Sequence, residues 1–271
     1  MPELPEVETY RRYFEATCLH QPIEAIDVED RKLLTTDYAT LTETLIGQTF
    51  VSTKRVGKNL FIYTNGGSTL HMHFGMTGDL EYYHSSLDRP RHARIVFILK
   101  SGFNLGFICP RKFERIGLVE SVDAYLKKKK IAPDALDISL EELTYNIRKR
   151  KSFIKPVLLD QSTVAGIGNW IVDEVLFQAK IHPEMLSNQL NDSEIGRIFS
   201  ATRYVLETAI EHEANYGRFP QHFLIHSREW DVSPYEDALR HKRCPCDKVQ
   251  IEHLQVGGRT TYYCPECQVL R

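Results

Sequence analysis

The fold is decided by LHMHFG (residues 70–75), a stretch in which apolar and polar side chains alternate before a glycine. This period of two predicts a β-strand that turns one face toward a core. A second stretch, RIVFIL (residues 94–99), is mostly apolar and ends at Ser101-Gly102, as is typical of a buried strand followed by a turn. Many short strands between residues 25 and 120 therefore predict a sandwich of two antiparallel sheets.

The segments on either side of these strands have helical spacing. Apolar residues recur every three or four positions in residues 6–18, so an amphipathic helix precedes the strands. The same spacing returns after residue 131, where Asn191 and Glu194 form a capping pair for a long helix. The sequence thus predicts an α+β chain, with an N-terminal two-sheet β-sandwich, a flanking helix and a C-terminal helical domain.

Four of the six cysteines lie near the C-terminus, as the pairs Cys244–Cys246 and Cys264–Cys267 on either side of a hairpin-sized segment. Two such pairs suit one tetrahedral structural zinc ion, and the absence of an export signal disfavours disulfides. The first pair has one intervening residue where two or more are usual, so Cys246 or His241 completes the site. We predict a β-hairpin zinc finger with four cysteine ligands.

The length and charge of the chain set limits on its organisation and partners. Its 271 residues suit more than one domain, and we predict a β-sandwich over 1–130, a helical domain over 131–240 and a zinc-finger hairpin over 241–271. No apolar run approaches a membrane span, so we expect a cytoplasmic protein. The net charge of −2 is low for a nucleic-acid binder, but five cations crowd residues 148–155.

The N-terminus offers a nucleophile. Removal of Met1, which we predict, would leave Pro2 as the only secondary amine of the chain. Such an amine can attack a sugar aldehyde or acetal carbon and form an iminium ion. Glu3 and Glu6 place two carboxylates beside it, one able to donate a proton and one able to stay ionised. The alternative is that these residues only begin a helix.

A second chemical motif is AGIGNWI (residues 165–171). The two glycines before a helical run allow a close approach of the backbone and direct amide groups outward, as in a phosphate site. Asn169 adds a side-chain donor. Arg259, just after the Gly257-Gly258 turn of the cysteine-rich hairpin, is placed to bind a phosphate through two hydrogen bonds.

Taken together, the PELPEVET opening, the Gly-Ile-Gly-Asn turn and the arginine of the cysteine hairpin resemble the formamidopyrimidine-DNA glycosylase and endonuclease VIII family of base-excision repair, in order and spacing. The opening is closer to the formamidopyrimidine branch. The resemblance implies a helix–two-turn–helix domain and a bifunctional DNA glycosylase and AP lyase acting on damaged double-stranded DNA. In this mechanism Pro2 forms a Schiff base, and β-elimination, with δ-elimination after it, cuts the strand.

The resemblance also implies roles for individual residues. Lys58, Asn169 and Arg259 match residues that bind phosphates, and His92 and Arg150 match further DNA contacts. Met76, Arg111 and Phe113 match the side chains that fill the space left by an extruded nucleotide. Lys155 matches a lysine that is associated with the DNA backbone or the lesion pocket in the family, and the alternative is that it forms an ion pair.

Two departures from the family pattern limit what the resemblance implies. The Cys244–Cys246 pair is tighter than the family's usual two-residue gap, and the second departure concerns specificity. The segment after Ile210 is short where formamidopyrimidine enzymes carry a glycine-rich loop over 8-oxoguanine, and an extra stretch occupies residues 229–240. A preference for oxidised pyrimidines, or for a broad set of ring-opened bases, is therefore an open possibility. A catalytically silent DNA-damage binder and a metal-stabilised protein-interaction module are competing hypotheses from different functional classes. We expect a monomer.

Overall fold

The computed structural model describes residues 1–84, 86–228 and 243–271, which form two compact units, Met1–Lys130 and Ile131–Arg271. The predicted His241 and the stretch 229–240 lie outside the described residues. The first unit corresponds to the β-rich half that the sequence predicts, and the second unit corresponds to the helical half. The further division of the second unit at residue 241 stays a prediction.

The first unit is a sandwich of two four-stranded antiparallel sheets, as predicted. The strands are β1 (Ile23–Val28), β2 (Phe50–Val56), β3 (Asn59–Thr64), β4 (Thr69–His73), β5 (Asp79–Tyr83), β6 (Ala93–Leu99), β7 (Asn104–Ile108) and β8 (Arg115–Val119). One sheet has the order β1-β6-β7-β5 and the other the order β2-β3-β4-β8. The helices are α1 (Leu4–Cys18), α2 (Tyr38–Leu45) and α3 (Val122–Lys129).

The stretches that predicted the sandwich are β4 and β6. Leu70 and Met72 of β4 face the core, where Phe14, Phe50 and Phe97 meet edge to face with centroid distances of 5.2 and 5.6 Å. Helix α1 contacts strands of both sheets. The N-terminus of α1 is therefore fixed against the sandwich by core packing.

The second unit contains the helices α4 (Leu140–Arg148), α5 (Ile154–Leu159), α6 (Asn169–Ala179) and α7 (Asp192–Glu211), and the hairpin of β9 (Glu252–Val256) and β10 (Arg259–Tyr263). Helix α7 begins with the predicted capping box of Asn191 and Glu194. Helix α6 is buried along nearly its whole length and packs against α5, α7 and β10. It thus forms the centre of this unit and supports the hairpin.

Candidate functional site

The N-terminal segment places its reactive groups at the start of α1. Pro2 is buried, whereas Met1 is 48% exposed. Glu3 is only 2% exposed and is the N-cap of α1, and its backbone nitrogen donates to Glu6 Oε2 at 3.0 Å in a reciprocal capping box. Positive charge at a helix N-terminus favours carboxylates there. Both predicted carboxylates therefore lie at the same helix end as Pro2.

A partly buried ion-pair network connects α1 to the turn that carries Lys58. Glu8 accepts hydrogen bonds from Arg11 at 2.7 Å and from Arg55 at 3.2 Å, and Arg55 also donates to the carbonyl of Gly57 at 3.2 Å. Burial acts to raise the pKa of Glu8, but the two guanidinium groups outweigh it and hold that pKa below its ordinary value. This network fixes the Lys58 turn relative to the N-terminal helix.

His73 is a candidate that the sequence reasoning missed. It pairs with Asn59 across β3 and β4, directly beside Lys58. Burial, followed by the charges of Lys58 and Arg115, lowers the pKa of His73 to about 4, so its ring is neutral at pH 7. The alternation of His71 and His73 in LHMHFG was the available signal. The two histidines differ in burial: His71 is buried, with the ring of Tyr125 of α3 at a centroid distance of 4.3 Å, whereas His73 is half-buried.

The structure brings the predicted space-filling residues together. A Cβ atom at Gly75 would lie 2.7 Å from the backbone carbon of Phe113, so the turn carrying Met76 packs directly on the turn carrying Arg111. Phe113 is 52% exposed, and the Arg111 guanidinium lies 5.5 Å from its ring. His92 is next to this turn, since its carbonyl accepts from the Cys109 nitrogen at 2.8 Å. An exposed aromatic ring on a rigid turn has the properties of a wedge.

In the second unit, Gln161 shapes the predicted phosphate turn. Its side chain accepts from the nitrogen of Gly166 and donates to the carbonyl of Ile167, each at 2.9 Å. Gly166 has φ +109°, which favours glycine, and Gly168 is the N-cap of α6. Asn169, the first residue of α6, donates from Nδ2 to the carbonyl of Thr260 at 3.1 Å. Asn169 is thereby tied to the residue that follows Arg259, which is exposed.

Lys155 lies inside this unit and not on its surface. It is 0% exposed, and its Nζ atom donates to Asp173 at 2.8 Å, to the Thr260 carbonyl at 2.9 Å and to the Thr261 hydroxyl at 2.7 Å. The structure thus shows the ion pair that was the alternative for this residue, and such burial does not support a direct contact with DNA. Lys155 and Asn169 share the Thr260 carbonyl, so both hold the start of β10.

Arg150, another predicted DNA contact, is 39% exposed in its side chain. Its guanidinium donates to Asp160 at 2.9 Å and to Ser162 at 2.7 Å. Burial acts to raise the pKa of Asp160, but the hydrogen bonds from Ser162 and the charge of Arg150 hold that pKa below its ordinary value. Arg150 therefore stabilises the loop between α5 and α6.

A cluster of metal-binding groups lies at the base of the hairpin. It contains Cys244, Cys264 and Cys267, as predicted, together with Asp247, and their ligand atoms all lie within 4.8 Å of one another. Thiolates and a carboxylate in a tetrahedral-sized cluster suit zinc. Cys246 is not part of this cluster; the residue is exposed, and its Sγ atom lies 3.6 Å from Lys180 Nζ.

Comparisons with known proteins agree with these features. The model of the formamidopyrimidine-DNA glycosylase N-terminal domain matches residues 1–116, and that of the formamidopyrimidine-DNA glycosylase H2TH domain matches residues 131–220. Formamidopyrimidine-DNA glycosylases of Pelotomaculum thermopropionicum and Streptococcus pyogenes are 35% and 36% identical, each over the whole of both chains. The Lactococcus lactis enzyme, solved in complex with DNA containing an AP site, has a TM-score of 0.86 at 30% identity and covers 99% of this chain and 100% of its own.

The fold and these two matched domains define a DNA glycosylase and AP lyase of base-excision repair. The sandwich, the helical unit and the cysteine hairpin all occur in the order that the sequence predicted. The chain belongs to the formamidopyrimidine-DNA glycosylase and endonuclease VIII family, on the formamidopyrimidine side. Among the residues that the structure describes, no helix combines the length and apolarity needed to cross a bilayer.

Proposed function

We propose that this protein, acting as a monomer, removes oxidised or ring-opened bases from double-stranded DNA through the imino nitrogen of Pro2. The observation that carries the proposal is the position of Pro2, buried immediately before Glu3 at the N-terminus of α1. The substrate class follows from the Lactococcus lactis relative, which has been solved with DNA containing Fapy-dG and with DNA containing an AP site.

The first step forms a bond between Pro2 nitrogen and C1′ of an extruded nucleotide while the bond from C1′ to the base breaks, and the departing base takes up the proton that Pro2 nitrogen loses. Glu3 donates a proton to the sugar ring oxygen as the ring opens, which leaves an iminium ion. The Glu6 carboxylate accepts a hydrogen bond from the Glu3 backbone nitrogen at 3.0 Å and so holds Glu3 in position. Glu3 is therefore the proton donor of the pair, and Glu6 is the residue that positions it.

The iminium ion makes the C2′ proton acidic. Loss of this proton breaks the C3′–O3′ bond, and the 3′ phosphate leaves with the bonding electrons. A second elimination removes the C4′ proton, breaks the C5′–O5′ bond and releases the 5′ phosphate. Lys58, with His73 beside it, binds the phosphates at the reacting sugar, while Asn169 and Arg259 bind phosphates through the second unit. Met76, Arg111 and Phe113 fill the space of the extruded nucleotide, and His92 contacts the backbone beside them.

The cysteine cluster binds one structural zinc ion. Zinc, when bound, cross-links the two ends of the hairpin and activates no water, because a closed site has no open position. The bound hairpin holds Arg259 at the start of β10, where the Thr260 carbonyl is already fixed by Asn169 and Lys155. Arg150 contributes by stabilising the loop before α6.

Borohydride trapping tests the proposal. Protein whose Pro2 start has been verified by mass spectrometry is mixed with duplexes carrying 8-oxoguanine, a ring-opened purine or dihydrothymine, and reduced. We expect a covalent protein–DNA adduct with at least one lesion, and its yield on the three duplexes ranks the lesions.

Two variants separate catalysis from binding. Pro2→Gly should still bind an abasic-site duplex but lose most of the adduct and strand cleavage, whereas Leu87→Ala, a change of a side chain that is 94% exposed, should behave like the parent. If the parent with a free Pro2 gives no adduct on any duplex, or if Pro2→Gly cleaves as well as the parent, the proposed nucleophile is wrong. Tight binding without cleavage would identify a silent damage binder.

A further inference from the structure

The structure assigns the fourth metal ligand to Asp247, and we propose a Cys3Asp site in place of the four-cysteine site predicted from the sequence. This inference rests on the proposed zinc hairpin and specifies its ligands. It also assigns Cys246 as a thiol that does not bind the metal.

The two ends of the hairpin have parallel sequences. CPCD (residues 244–247) and CPEC (residues 264–267) each begin with Cys-Pro. Two residues separate Cys264 from Cys267, and the same spacing from Cys244 leads to Asp247. Cys246 therefore corresponds to Glu266, and both of these residues are exposed. A zinc knuckle with the usual two-residue gap uses Asp247 on this side.

The distances within the cluster fit a single tetrahedral ion. Asp247 Oδ2 lies 3.1 Å from both Cys264 Sγ and Cys267 Sγ, and Cys244 Sγ lies 3.8 Å from Cys267 Sγ. Metal–sulfur bonds of about 2.3 Å and metal–oxygen bonds of about 2.0 Å at tetrahedral angles require sulfur–sulfur distances of about 3.8 Å and sulfur–oxygen distances of about 3.5 Å. The other ligand–ligand distances are no longer than 4.8 Å, so shifts of about 1 Å or less would complete this coordination.

The Asp247 carboxylate is already oriented for this role. Its Oδ1 atom accepts a hydrogen bond from the backbone nitrogen of Val249 at 2.9 Å, which leaves Oδ2 directed at the sulfur atoms. Metal-binding carboxylates are commonly held by such a second hydrogen bond. The contact therefore distinguishes Asp247 from an acidic residue that is merely near the site.

Cys246 supports the site through its backbone. Its nitrogen donates to Cys244 Sγ at 3.4 Å, just as the nitrogen of Cys267 donates to Cys264 Sγ at 3.4 Å. Its own Sγ atom lies 3.6 Å from Lys180 Nζ and is not one of the four ligand atoms that lie within 4.8 Å of one another.

Metal content and affinity of the full-length protein test the assignment. Zinc is measured by elemental analysis, and affinity by competition with a chromogenic chelator, for the parent, Asp247→Asn and Cys246→Ser. We expect about one zinc per chain for the parent and for Cys246→Ser. Asp247→Asn should bind at least about tenfold more weakly, since even loss of a second-shell partner costs about 10–100-fold.

Two further readouts do not depend on activity or on the folding of the Asn variant. With zinc bound, iodoacetamide should modify Cys246 while Cys244, Cys264 and Cys267 stay protected, as peptide mass spectrometry shows. In the cobalt-loaded protein, Cys246→Ser should leave the sulfur-to-metal charge-transfer band unchanged, and Asp247→Cys should intensify it by adding a fourth thiolate.

Each outcome bears on the assignment. Loss of zinc in Cys246→Ser, retention of parental affinity in Asp247→Asn, or protection of Cys246 in the zinc-loaded protein would overturn it. Absence of zinc from the parent would instead refute the proposed zinc hairpin, and with it this assignment, whereas adduct formation by Pro2 would be judged separately.

Discussion

Substitution of Lys155 by methionine tests whether the second unit depends on its buried ion pair. Lys155 and Asp173 are both 0% exposed in their side chains, and Arg228 lies 3.1 Å from the second carboxylate oxygen of Asp173. Removing one partner of a buried pair costs about 3–5 kcal/mol, because the remaining charge is desolvated and incompletely compensated. Lys155→Met also leaves the Thr261 hydroxyl without its ammonium donor. We therefore expect a loss of about 4 kcal/mol in the free energy of unfolding.

Urea unfolding followed by circular dichroism measures this loss, with Arg148→Met as the matched control. Arg148 pairs with Asp192 at 2.6 Å, but the two side chains are 42% and 88% exposed, so its removal should cost less than about 1 kcal/mol. A Lys155→Met variant no less stable than Arg148→Met would refute the reasoning. So would strict additivity with Asp173→Asn, because directly paired groups show coupling energies of about 0.5–3 kcal/mol.

The same variant separates an indirect from a direct role in DNA binding. Lys155 holds the Thr260 carbonyl next to Arg259, so Lys155→Met should weaken binding without changing the slope of log K against log salt. Arg259→Ala should lower that slope by about 1, as expected for loss of one phosphate contact. An equal decrease in slope for Lys155→Met would show that Lys155 contacts phosphate directly.

Three further predictions concern the first unit. Burial first, then the charges of His73 and Lys129, lower the pKa of His71 to about 3, so below about pH 6.5 the unfolded chain takes up a proton that the native His71 does not, and the protein loses stability as the pH falls. His71→Gln should therefore narrow the difference in unfolding free energy between pH 8 and pH 5 by about 2 kcal/mol. An unchanged difference would contradict the lowered pKa of His71. Gly75→Ala should destabilise the protein by about 1–3 kcal/mol more than Gly67→Ala, because both glycines have positive φ but only Gly75 would place its Cβ atom against backbone; equal midpoints in thermal unfolding would argue against that packing. Phe113→Ala should change stability by less than about 0.5 kcal/mol yet weaken binding to an abasic-site duplex about tenfold in a fluorescence titration, with Leu87→Ala as the control; unchanged binding would remove Phe113 from the wedge.

Local patterns in the sequence were sufficient for much of the fold. The alternation in LHMHFG predicted β4, and the apolar run of residues 94–99 predicted most of β6, because strand periodicity depends only on which face is buried. The capping box of Asn191 and Glu194 located the start of α7, since a cap is formed by residues three apart in the chain. The pairing order of the strands into two sheets was not available from these patterns, because it depends on contacts between distant segments.

Residues that look alike in the sequence differ in burial and in contacts in the structure. The resemblance matched Lys58 to a phosphate-binding lysine and Lys155 to a lysine associated with the DNA backbone or the lesion pocket, yet Lys155 is enclosed by Asp173 and the hairpin. The two histidines of β4 look equivalent in sequence, but His71 is buried with the ring of Tyr125 of α3 at a centroid distance of 4.3 Å, whereas His73 is half-buried. Burial of a side chain depends on the helix or strand that packs over it. That element is distant in the sequence, so local sequence patterns do not predict the burial.

The sequence by itself determined the kinds of elements, the family and the chemical groups available, because these follow from periodicity, local motifs and residue types. Tertiary structure alone decided which groups meet. The spacing of the cysteines predicted a metal site, but the direction of each ligand atom depends on how the two turns of the hairpin face one another. That arrangement brings Asp247 to the sulfur atoms of residues 264 and 267 and turns Cys246 toward Lys180, because coordination depends on distances of a few ångströms between atoms that are far apart in the chain.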